Sequence, residues 1–542
     1  MKTLITFALS FIFIPFNLIM AQAPNWQWAK NGGGVVSDAE GSSVVVDATG
    51  NSYVTGSFQG KNFVLGSYTL INKDSASSDI FMAKYDPSGN VVWAKGLGGD
   101  FYDYAESIAL DANGNIYITG SFRSASISIN TTTLTNSNLG SSDFFIMKYD
   151  TSGNLIWAKS TGGNKDDVGY SLTLSTTGEL YVTGAFSSPT ISFGANILVN
   201  ASSNSDVFVV KFDALGNVLW AKSAGGTNSD QGNGIITDAN GNVYVVGNYL
   251  ATSINFGGST TLTNAGYTDL FIVKYDASGN LLWAKSAGGT GDDSGREISI
   301  DATGNVYIIG EFKSDYIGFG STVLTNNNTI PPLFSDAFIV KYNSSGAVVW
   351  VKQFGGFNGD YAFNIITDAS GNSYVTGTTN VSVLSTSSDL FVAKYDVLGN
   401  LLWTKTVVST DWVQSASVGI DANGNSYITG TFYAPTITFD NSSLINSFFV
   451  AKLGSTVGIE ENSNSDFIQL YPNPSKGIFF ITSEKDISKI EIVNVLGEKV
   501  YLTNTIKSQS INQIDLSNRT KGIYFIIGYS ENERFLKKIV IQ

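Results

Sequence analysis

The sequence contains no cysteine and no histidine among its 542 residues, and only 9 prolines. Without cysteine there can be no disulfide framework, no thiolate nucleophile and no cysteine-ligated metal. Without histidine there is no Ser-His-Asp triad, no imidazole ligand and no side chain whose unperturbed pKa lies near neutrality. Most hydrolase chemistry is therefore disfavoured, and we expect no catalytic residues, no metal site and no cofactor.

Positive charge is also scarce, since 31 Lys and Arg stand against 45 Asp and Glu for a net charge of -14. An acidic chain repels phosphate-rich polymers, so nucleic acid is not an expected partner. Hydrophobic residues make up 43% of the sequence, which is enough for a sizeable core and argues against a mainly disordered chain.

The N-terminal segment 1–21 is predicted to be a signal peptide. Lys2 precedes an apolar run over 4–16, and small residues follow up to Ala21, as in secretory signals. The alternative is a membrane anchor, which Pro15 and Asn17 disfavour because they interrupt the run. No later stretch approaches the roughly 20 apolar residues that cross a bilayer, so we expect an exported mature chain without a transmembrane segment.

One unit recurs between residues 24 and 455, and a sequence period of this length is typical of repeat architectures. In the second copy, short segments rich in β-branched and aromatic residues cover 107–111, 115–122, 143–150 and 154–159, and they predict four strands, A to D. A Trp-x-Lys string marks each D strand: Trp28, Trp93, Trp157, Trp220, Trp283, Trp350 and Trp403. A tyrosine marks each B strand: Tyr53, Tyr117, Tyr181, Tyr244, Tyr307, Tyr374 and Tyr427.

The turns of the unit follow the pattern Asp-x-x-Gly-Asn, at 111–115 between strands A and B and at 150–154 between C and D. The aspartate can accept hydrogen bonds from the turn backbone, and the late glycine supplies a positive φ. These acidic turns resemble calcium loops only superficially, because they lack the alternating oxygen ligands and closing Glu of an EF-hand. We therefore interpret them as structural.

Four-stranded antiparallel units without helices predict an all-β chain, a β-propeller. The other architecture considered is an open β-solenoid. The chain favours closure, because 26–30 is an unpaired D strand before the first unit and the last unit stops after its C strand at 448–452. The N-terminal strand can complete the seventh blade and remove the exposed edge, which predicts a closed ring of seven four-stranded blades.

A residue that recurs in every unit indicates a structural role. We expect the seven repeated tryptophans to pack between blades. We expect the repeated lysines of the C and D strands to lie on the surface and to suppress edge aggregation.

The units resemble the bacterial seven-bladed β-propeller repeat called SBBP, through segments such as 111–120 (DANGNIYITG) and 276–285 (DASGNLLWAK). The resemblance covers about 24–455 and implies the fold. It does not imply a function, because propellers host enzymes, lectins and scaffolds alike.

The longer B–C and D–A connections must emerge on one rim, where binding residues usually lie. The D–A loops share a Gly-Gly pair followed by aspartates, which form either a cation-attracting ring or a set of loop caps. Residues that do not repeat are better ligand candidates, and aromatic rings beside carboxylates suit sugars. The predicted ligand-binding residues are Tyr102, Asp103, Phe357, Tyr361, Asp411 and Trp412.

After a polar linker over 456–465, the segment 466–542 holds 10 Lys and Arg against 8 Asp and Glu, so the acidity belongs to the repeats. Seven strands can be placed in this segment and predict a small β-sandwich. The segment resembles the type A C-terminal sorting domain of the type IX (Por) secretion system. The residues that carry this resemblance include Tyr471, Pro472, Asn473, Pro474, Gly477, Gly497, Gly522, Lys537 and Lys538. The resemblance implies the type IX machinery as a partner, and a location at the cell surface or outside the cell.

We therefore expect an exported propeller that acts as a binding or adhesion module for a glycan or protein ligand, without catalysis. The alternatives are a secreted glycan-active enzyme that uses two carboxylates and a purely structural surface protein.

Overall fold

The computed structural model describes residues 23–34, 36–327, 334–356, 358–381, 387–445, 447–454, 468–494, 499–530 and 533–542. The chain divides into two compact units, Met1–Gly454 and Ser455–Gln542. The predicted signal peptide 1–21 and linker 456–465 lie outside the described residues. Every regular element described is a β-strand, so the described part of the chain has no helix long and apolar enough to cross a membrane.

Within the described residues, the first unit contains seven four-stranded antiparallel sheets. Their strands, from A to D, are as follows: sheet 1, β2 (Val36–Val46), β3 (Ser52–Gly60), β6 (Ser78–Tyr85) and β7 (Val91–Leu97); sheet 2, β8 (Asp103–Leu110), β9 (Ile116–Phe122), β12 (Asp143–Tyr149) and β13 (Leu155–Thr161); sheet 3, β14 (Asp167–Leu174), β15 (Leu180–Phe186), β18 (Asp206–Phe212) and β19 (Val218–Ala224); sheet 4, β20 (Asp230–Thr237), β21 (Val243–Tyr249), β24 (Asp269–Tyr275) and β25 (Leu281–Ala287); sheet 5, β26 (Asp293–Ile300), β27 (Val306–Phe312), β30 (Asp336–Tyr342) and β31 (Val348–Phe354); sheet 6, β32 (Gly359–Thr367), β33 (Ser373–Val381), β34 (Asp389–Tyr395) and β35 (Leu401–Val407); sheet 7, β36 (Val413–Ile420), β37 (Ser426–Phe432), β40 (Phe448–Gly454) and β1 (Asn25–Lys30).

The A strand of each sheet contacts the A strands of the two neighbouring sheets, and the A strand of sheet 7 contacts that of sheet 1. The A strands therefore surround a central channel. The predicted closure is observed, since β1 pairs antiparallel with β40 and supplies the D strand of sheet 7.

The B–C connections hold an element that the sequence did not predict. A two-stranded hairpin lies between the B and C strands in all sheets except sheet 6, of the residues described: β4 (Asn62–Leu65) with β5 (Tyr68–Ile71), β10 (Ser126–Ile129) with β11 (Thr132–Thr135), β16 (Thr190–Phe193) with β17 (Asn196–Val199), β22 (Ser253–Asn255) with β23 (Thr261–Thr263), β28 (Tyr316–Phe319) with β29 (Thr322–Thr325), and β38 (Ile437–Phe439) with β39 (Ser442–Leu444). One face of each hairpin adds apolar side chains to the core, as Ile127 does in sheet 2.

The core lies between the sheets, because the central B and C strands are buried along their whole length in most sheets, as β9 and β12 are in sheet 2. The repeated tryptophans link neighbouring sheets, as predicted. Trp157 Nε1 donates to the carbonyl oxygen of Ala214 in the next C–D turn at 3.4 Å, and a Cβ on Gly216 in that turn would lie 3.2 Å from the indole.

The prediction that the repeated C-strand lysines lie on the surface is wrong. Lys148 is only 8% exposed. Its Nζ lies 4.7 Å from the centroid of the Tyr117 ring and 3.5 Å from Asp111 Oδ2. The ammonium group is buried because an aromatic face and a turn carboxylate compensate its charge together.

The Asp-x-x-Gly-Asn turns have the predicted structural role. Asp213 Oδ1 accepts hydrogen bonds from the N–H groups of Leu215 and Asn217 at 2.9 and 2.8 Å. Its Oδ2 accepts from Asn217 Nδ2 at 2.8 Å. Hydrogen bonds from the Asn217 side chain, and then from its backbone, lower the pKa of Asp213. Gly216 has a φ of 78°, which a side chain would strain.

The second unit is a small sandwich of two sheets, as predicted. One sheet contains β41 (Ile468–Tyr471), β42 (Ile478–Ser483) and β45 (Ile511–Asp515); the other contains β44 (Lys499–Ile506), β43 (Ile487–Asn494), β46 (Gly522–Ser530) and β47 (Glu533–Ile541). Its core forms between the sheets, where Phe479 and Ile481 meet Ile490, Ile492 and Ile526.

Candidate functional site

The loop rim is the end of the propeller where the B–C and D–A connections emerge, and Asp103 lies buried beneath it. Oδ1 of Asp103 accepts hydrogen bonds from the N–H groups of Arg123 and Ser124, both at 3.1 Å. Oδ2 accepts from Gly99 N at 2.9 Å and Ser124 Oγ at 2.7 Å. The prediction that Asp103 binds ligand is therefore wrong, because four donors saturate a carboxylate that has no access to solvent. Asp103 instead caps its own D–A loop.

A second buried aspartate lies under the same loop. A Cβ on Gly98 would fall 2.0 Å from Asp79 Oδ1, so only glycine permits this close approach. Burial raises the pKa of Asp79 to about 7, and the charge of Asp103 adds to the effect. Further pairs of this kind are Asp143 and Asp167, Asp206 and Asp230, Asp269 and Asp293, and Asp336 and Asp360. These pairs explain why the Gly-Gly and Asp motifs repeat together.

The buried aspartates predict that the propeller is more stable at pH 5 than at pH 8. Burial raises the pKa of Asp79 and Asp230 to about 7 and that of Asp103, Asp167 and Asp206 to about 6. Aspartate in an unfolded chain titrates near 3.9, so between about pH 4 and pH 7 the folded state binds more protons and its free energy of unfolding falls as the pH rises. The turn aspartates, whose pKa is lowered, titrate below this window.

Thermal unfolding followed by circular dichroism should show Tm falling by about 5 °C from pH 5 to pH 8. The double variant Asp79→Asn, Asp206→Asn should flatten this decline, because amides carry no charge. A Tm that does not change with pH would contradict the prediction, as would an unchanged slope in the double variant.

A β-bulge interrupts every A strand at the same position. One residue of each A strand is skipped in the pairing with its B strand, and such a residue is left unpaired with its side chain re-aimed. The seven bulge residues are Ser42, Glu106, Tyr170, Asn233, Arg296, Phe363 and Ala416. No two of them are the same residue type, although the preceding position is always Gly, Ala or Ser. The bulge is therefore where the channel differs from sheet to sheet.

Bulge residues of sheets 7, 1 and 2 line a pocket of about 250 Å³ at the loop-rim end of the channel. We call it the channel-mouth pocket. It is lined by Glu40, Gly41, Ser42, Glu106, Trp412, Gln414, Ala416, Thr431 and Tyr433. Trp412 and Tyr433 stand side by side, because Tyr433 N donates to the Trp412 carbonyl oxygen at 2.8 Å. Two aromatic side chains and two glutamates thus share one cavity.

The channel-mouth pocket is strongly acidic. Burial raises the pKa of Glu106 to about 7, and the charge of Glu40 raises it further. Burial and then the charge of Asp38 raise the pKa of Glu40. Asp38 Oδ2 accepts a hydrogen bond from the Tyr433 hydroxyl at 3.5 Å, while Asp38 Oδ1 is buried and has no hydrogen-bond partner among the residues that the structure describes. No lysine or arginine among the described residues lines the pocket.

Arg296 is the cationic residue among the seven bulge residues. It does not offset the charge of the pocket, because it is already paired with a glutamate. Arg296, in sheet 5, contacts Glu311 of the same sheet at 2.6 Å between Nη2 and Oε1. Its Nε also donates to that carboxylate at 2.8 Å. Arg296 therefore supplies no free counter-charge to the pocket between sheets 7, 1 and 2, and none of the described lining residues is a lysine or arginine.

Pairs of parallel aromatic rings occur in sheets 2 and 6, the neighbours of sheets 1 and 7. Tyr102 and Tyr104 stack with ring centroids 6.3 Å apart and are 40% and 36% exposed. Burial raises the pKa of Tyr104, and the charges of Glu40, Tyr102 and Glu106 raise it further. Tyr104 therefore adjoins the pocket. In sheet 6, Tyr361 and Phe363 stack at 6.2 Å. Aromatic rings therefore occur from sheet 6 through sheet 7 to sheet 2.

The structure brings some of the predicted ligand-binding residues together and separates others. Trp412 lines the pocket, Tyr102 adjoins it through Tyr104, and Tyr361 lies on the neighbouring A strand of sheet 6. Asp411 accepts a hydrogen bond from the backbone N–H of Trp412 at 2.7 Å and does not line the pocket. Phe357 lies outside the described residues.

Sequence reasoning missed Glu40, Glu106, Gln414 and Tyr433. The aligned bulge position, at which all seven repeats differ, is a signal for Glu106 alone. Glu40 and Gln414 lie two residues before the bulges of their A strands, and Tyr433 directly follows β37. Glu40, Glu106 and Gln414 lie within A strands and not in the loops from which the ligand-binding residues were predicted.

The candidate sorting residues cluster around the last strand of the second unit. Asn473 donates from Nδ2 to the Lys538 carbonyl oxygen at 2.7 Å, and its Oδ1 accepts from Val540 N at 3.0 Å. The ring of Tyr471 stacks on Phe480 at 5.7 Å. A Cβ on Gly477 would fall 2.5 Å from Ser517 Cα. Pro472 and Pro474 flank Asn473, Gly522 begins β46 and Lys537 lies in β47, whereas Gly497 lies outside the described residues.

Comparison with protein families identifies both kinds of unit. The family described as "Secretion system C-terminal sorting domain" matches residues 469–542. The family described as "Beta-propeller repeat" matches residues 92–121, 219–248 and 349–384.

Curated relatives are distant and much longer. An uncharacterized WD repeat-containing protein of Acanthamoeba polyphaga mimivirus is 26% identical over 452 residues, which cover 68% of this chain and 32% of that protein. The regulatory protein FlaEY of Caulobacter vibrioides is 25% identical over 287 residues, which cover 52% of this chain and 28% of that protein. The chain thus spans about a third of the length of the curated relatives it matches.

Solved structures with similar folds include the WD40 domain of Neurospora crassa Pan2, with a TM-score of 0.41 and 9% identity over 77% of this chain and 90% of that one. PorZ, a surface component of the type-IX secretion system of Porphyromonas gingivalis, has a TM-score of 0.17 and 10% identity over 95% of this chain and 100% of that one. These TM-scores are low, so the strand pairing described above, and not the similarity to these structures, establishes the fold. The family matches thus show that this chain contains β-propeller repeats and a C-terminal sorting domain of the type IX secretion system, and such a sorting domain marks proteins exported to the cell surface or the extracellular space.

Proposed function

We propose that the propeller is a non-catalytic binding module and that its channel-mouth pocket holds a glycan. The observation that carries the proposal is the meeting of Trp412, Tyr433, Glu40 and Glu106 in one cavity of about 250 Å³. Aromatic faces suit the apolar faces of sugar rings, and carboxyl and amide groups accept or donate hydrogen bonds to sugar hydroxyls. A pocket of this kind, apolar on one side with a few polar groups, is the usual form of a small-ligand site.

The paired rings beside the pocket support an extended ligand. Tyr102 and Tyr104 continue the aromatic surface onto sheet 2, and Tyr361 with Phe363 continue it onto sheet 6. A single sugar needs only the pocket, whereas the exposed rings of Tyr102 and Tyr104 and the partly buried rings of Tyr361 and Phe363 are suited to further units of an oligosaccharide. For an exported protein, glycans of the cell surface or surroundings are accessible ligands.

The prediction is that Trp412→Ala weakens oligosaccharide binding about tenfold or more, which is a loss of about 1.4 kcal/mol. The purified chain would be screened against a panel of immobilised oligosaccharides, and binding to the strongest would be measured by isothermal titration calorimetry. Tyr104→Ala should cause a smaller loss, because Tyr104 lies beside the pocket.

The matched control is Tyr316→Ala, which removes a 60% exposed tyrosine from the hairpin strand β28 of sheet 5, away from sheets 7, 1 and 2. This variant should bind as the wild type does. Absence of binding across the panel would contradict the proposal, and so would equal losses in Trp412→Ala and Tyr316→Ala. Release of new reducing ends that stops in Glu106→Gln would replace binding with hydrolysis, the reaction of paired carboxyl groups.

A further inference from the structure

We infer that the glycan held by the channel-mouth pocket carries a positively charged amine, as an unacetylated amino sugar does. The inference rests on the proposed function, and it names the class of ligand within it. It is argued from the charge around the cavity, the aromatic faces beside that charge and the size of the space.

Among the described residues, no ion pair joins Glu40, Glu106 or Asp38 to a lysine or arginine. Glu40 and Glu106 line it from the A strands of sheets 1 and 2, and Asp38 adjoins it through Tyr433. No lysine or arginine among the described lining residues neutralises them. Partly buried acidic groups that repel one another are costly, and a bound cation would offset that cost.

One carboxylate oxygen near the pocket has no hydrogen-bond partner among the described residues. This atom is Asp38 Oδ1, which is buried, while Oδ2 of the same group accepts a hydrogen bond from the hydroxyl of the pocket residue Tyr433. Oδ1 of Asp79, Asp143, Asp206, Asp230 and Asp269 is also buried without such a partner, so Asp38 is distinguished by its bond to a residue of the pocket. An ammonium group supplies three donors and a positive charge.

The aromatic residues favour an organic cation over a metal ion. Trp412 and Tyr433 line the same cavity as the glutamates, and aromatic faces attract ammonium groups. No group of three or more acidic residues among those described is arranged to hold a metal ion. A space of about 250 Å³ also exceeds the needs of a single ion and suits one sugar ring with its amine.

The test compares two tetrasaccharides of equal length, a glucosamine tetramer and an N-acetylglucosamine tetramer, by calorimetry on the purified full chain. At pH 7 and low salt, we expect the amine form to bind at least about tenfold more tightly. The preference should shrink at 0.5 M NaCl, because salt screens charge. It should be lost in the double variant Glu40→Gln, Glu106→Gln, which removes both negative charges, so that the two tetramers bind this variant with equal affinity.

Two further variants guard against misfolding as an explanation. Glu106→Asp keeps the charge and should retain part of the preference. Asp315→Asn removes one negative charge from an exposed position in sheet 5 and should leave the preference unchanged. All variants would first be compared with the wild type by thermal unfolding.

The outcomes separate the two claims. Equal affinity for both tetramers, or tighter binding of the acetylated one, overturns the amine inference and leaves glycan binding standing. Binding of neither tetramer nor of any oligosaccharide on the panel overturns both. Tight binding of calcium chloride alone, lost in the glutamate double variant, replaces the amine with a metal ion and overturns the inference.

Discussion

A chain that lacks residues 466–542 is expected to fold its propeller and yet to be absent from the cell surface, accumulating in the periplasm. The reason is that the sorting domain is a separate compact unit with its own core of isoleucine and phenylalanine side chains. Its removal takes no side chain from the cores between the propeller sheets. Export and folding should therefore be separable.

The measurement is protease accessibility on intact cells together with immunoblots of the periplasmic fraction. The periplasmic species should keep the β-sheet circular dichroism and the thermal unfolding of the propeller. Normal surface appearance of the shortened chain would contradict the assignment of this segment as the sorting signal. Loss of the propeller fold would contradict the independence of the two units.

A point variant sharpens the same prediction. Asn473 is bonded through both side-chain atoms to the backbone of the last strand, at Lys538 and Val540. Asn473→Ala should therefore reduce surface appearance while leaving the domain folded. The matched control is Ile511→Ser, at a 66% exposed position of β45, which should be exported normally.

Deletion of β1 is the second change with a large expected effect, because this strand closes the ring. Trp26 packs edge-on against Phe439 at 4.8 Å. Trp28 Nε1 donates to the Pro87 carbonyl oxygen of sheet 1 at 3.0 Å. Without β1, the wholly buried strand β40 becomes a free edge of apolar residues, and such edges promote aggregation.

Loss of Trp26, Trp28 and Ala29 alone removes roughly 5 kcal/mol of apolar burial, so Tm should fall by about 5 °C or more for a unit of this size. Thermal unfolding and light scattering would report the change. The decisive control is a permuted chain in which residues 25–30 follow Gly454 through an Asp-x-x-Gly-Asn turn, as the other D strands follow their C strands. This chain should recover most of the stability, and a deletion that melts like the wild type would show that closure is not required.

Much of the propeller could be predicted from one sequence because each unit repeats the same pattern of strands and turns. The B and C strands match their predicted spans within a residue or so, and the turn aspartates bond their own backbone as expected. The A strand begins earlier than predicted, at 103 and not 107 in sheet 2, because its first half contains the bulge and breaks the alternating pattern. The B–C hairpins could not be predicted from the sequence, because strands of three or four residues are too short to show a recognisable alternating pattern.

Burial of charge was the least predictable property. Lys148 and Asp103 both occupy repeated positions and are both buried, yet neither is recognisable as buried from composition. A lysine is found inside only when an aromatic ring and a carboxylate converge on it, and those partners come from other strands. The same holds for Asp103, whose four donors come from two separate segments, Gly99 in the D–A loop and Arg123 with Ser124 after β9.

The sequence by itself determined the repeating four-stranded unit, its turns, the closing strand and the sorting domain, because these depend on local patterns that recur or on motifs in a fixed order. Only the tertiary structure decided where a ligand could sit. Trp412 and Glu40 are far apart along the chain, and closure of the ring places them in one pocket. The bulge aims a single variable side chain of each sheet, and which of these side chains become neighbours depends on the order of the sheets around the ring.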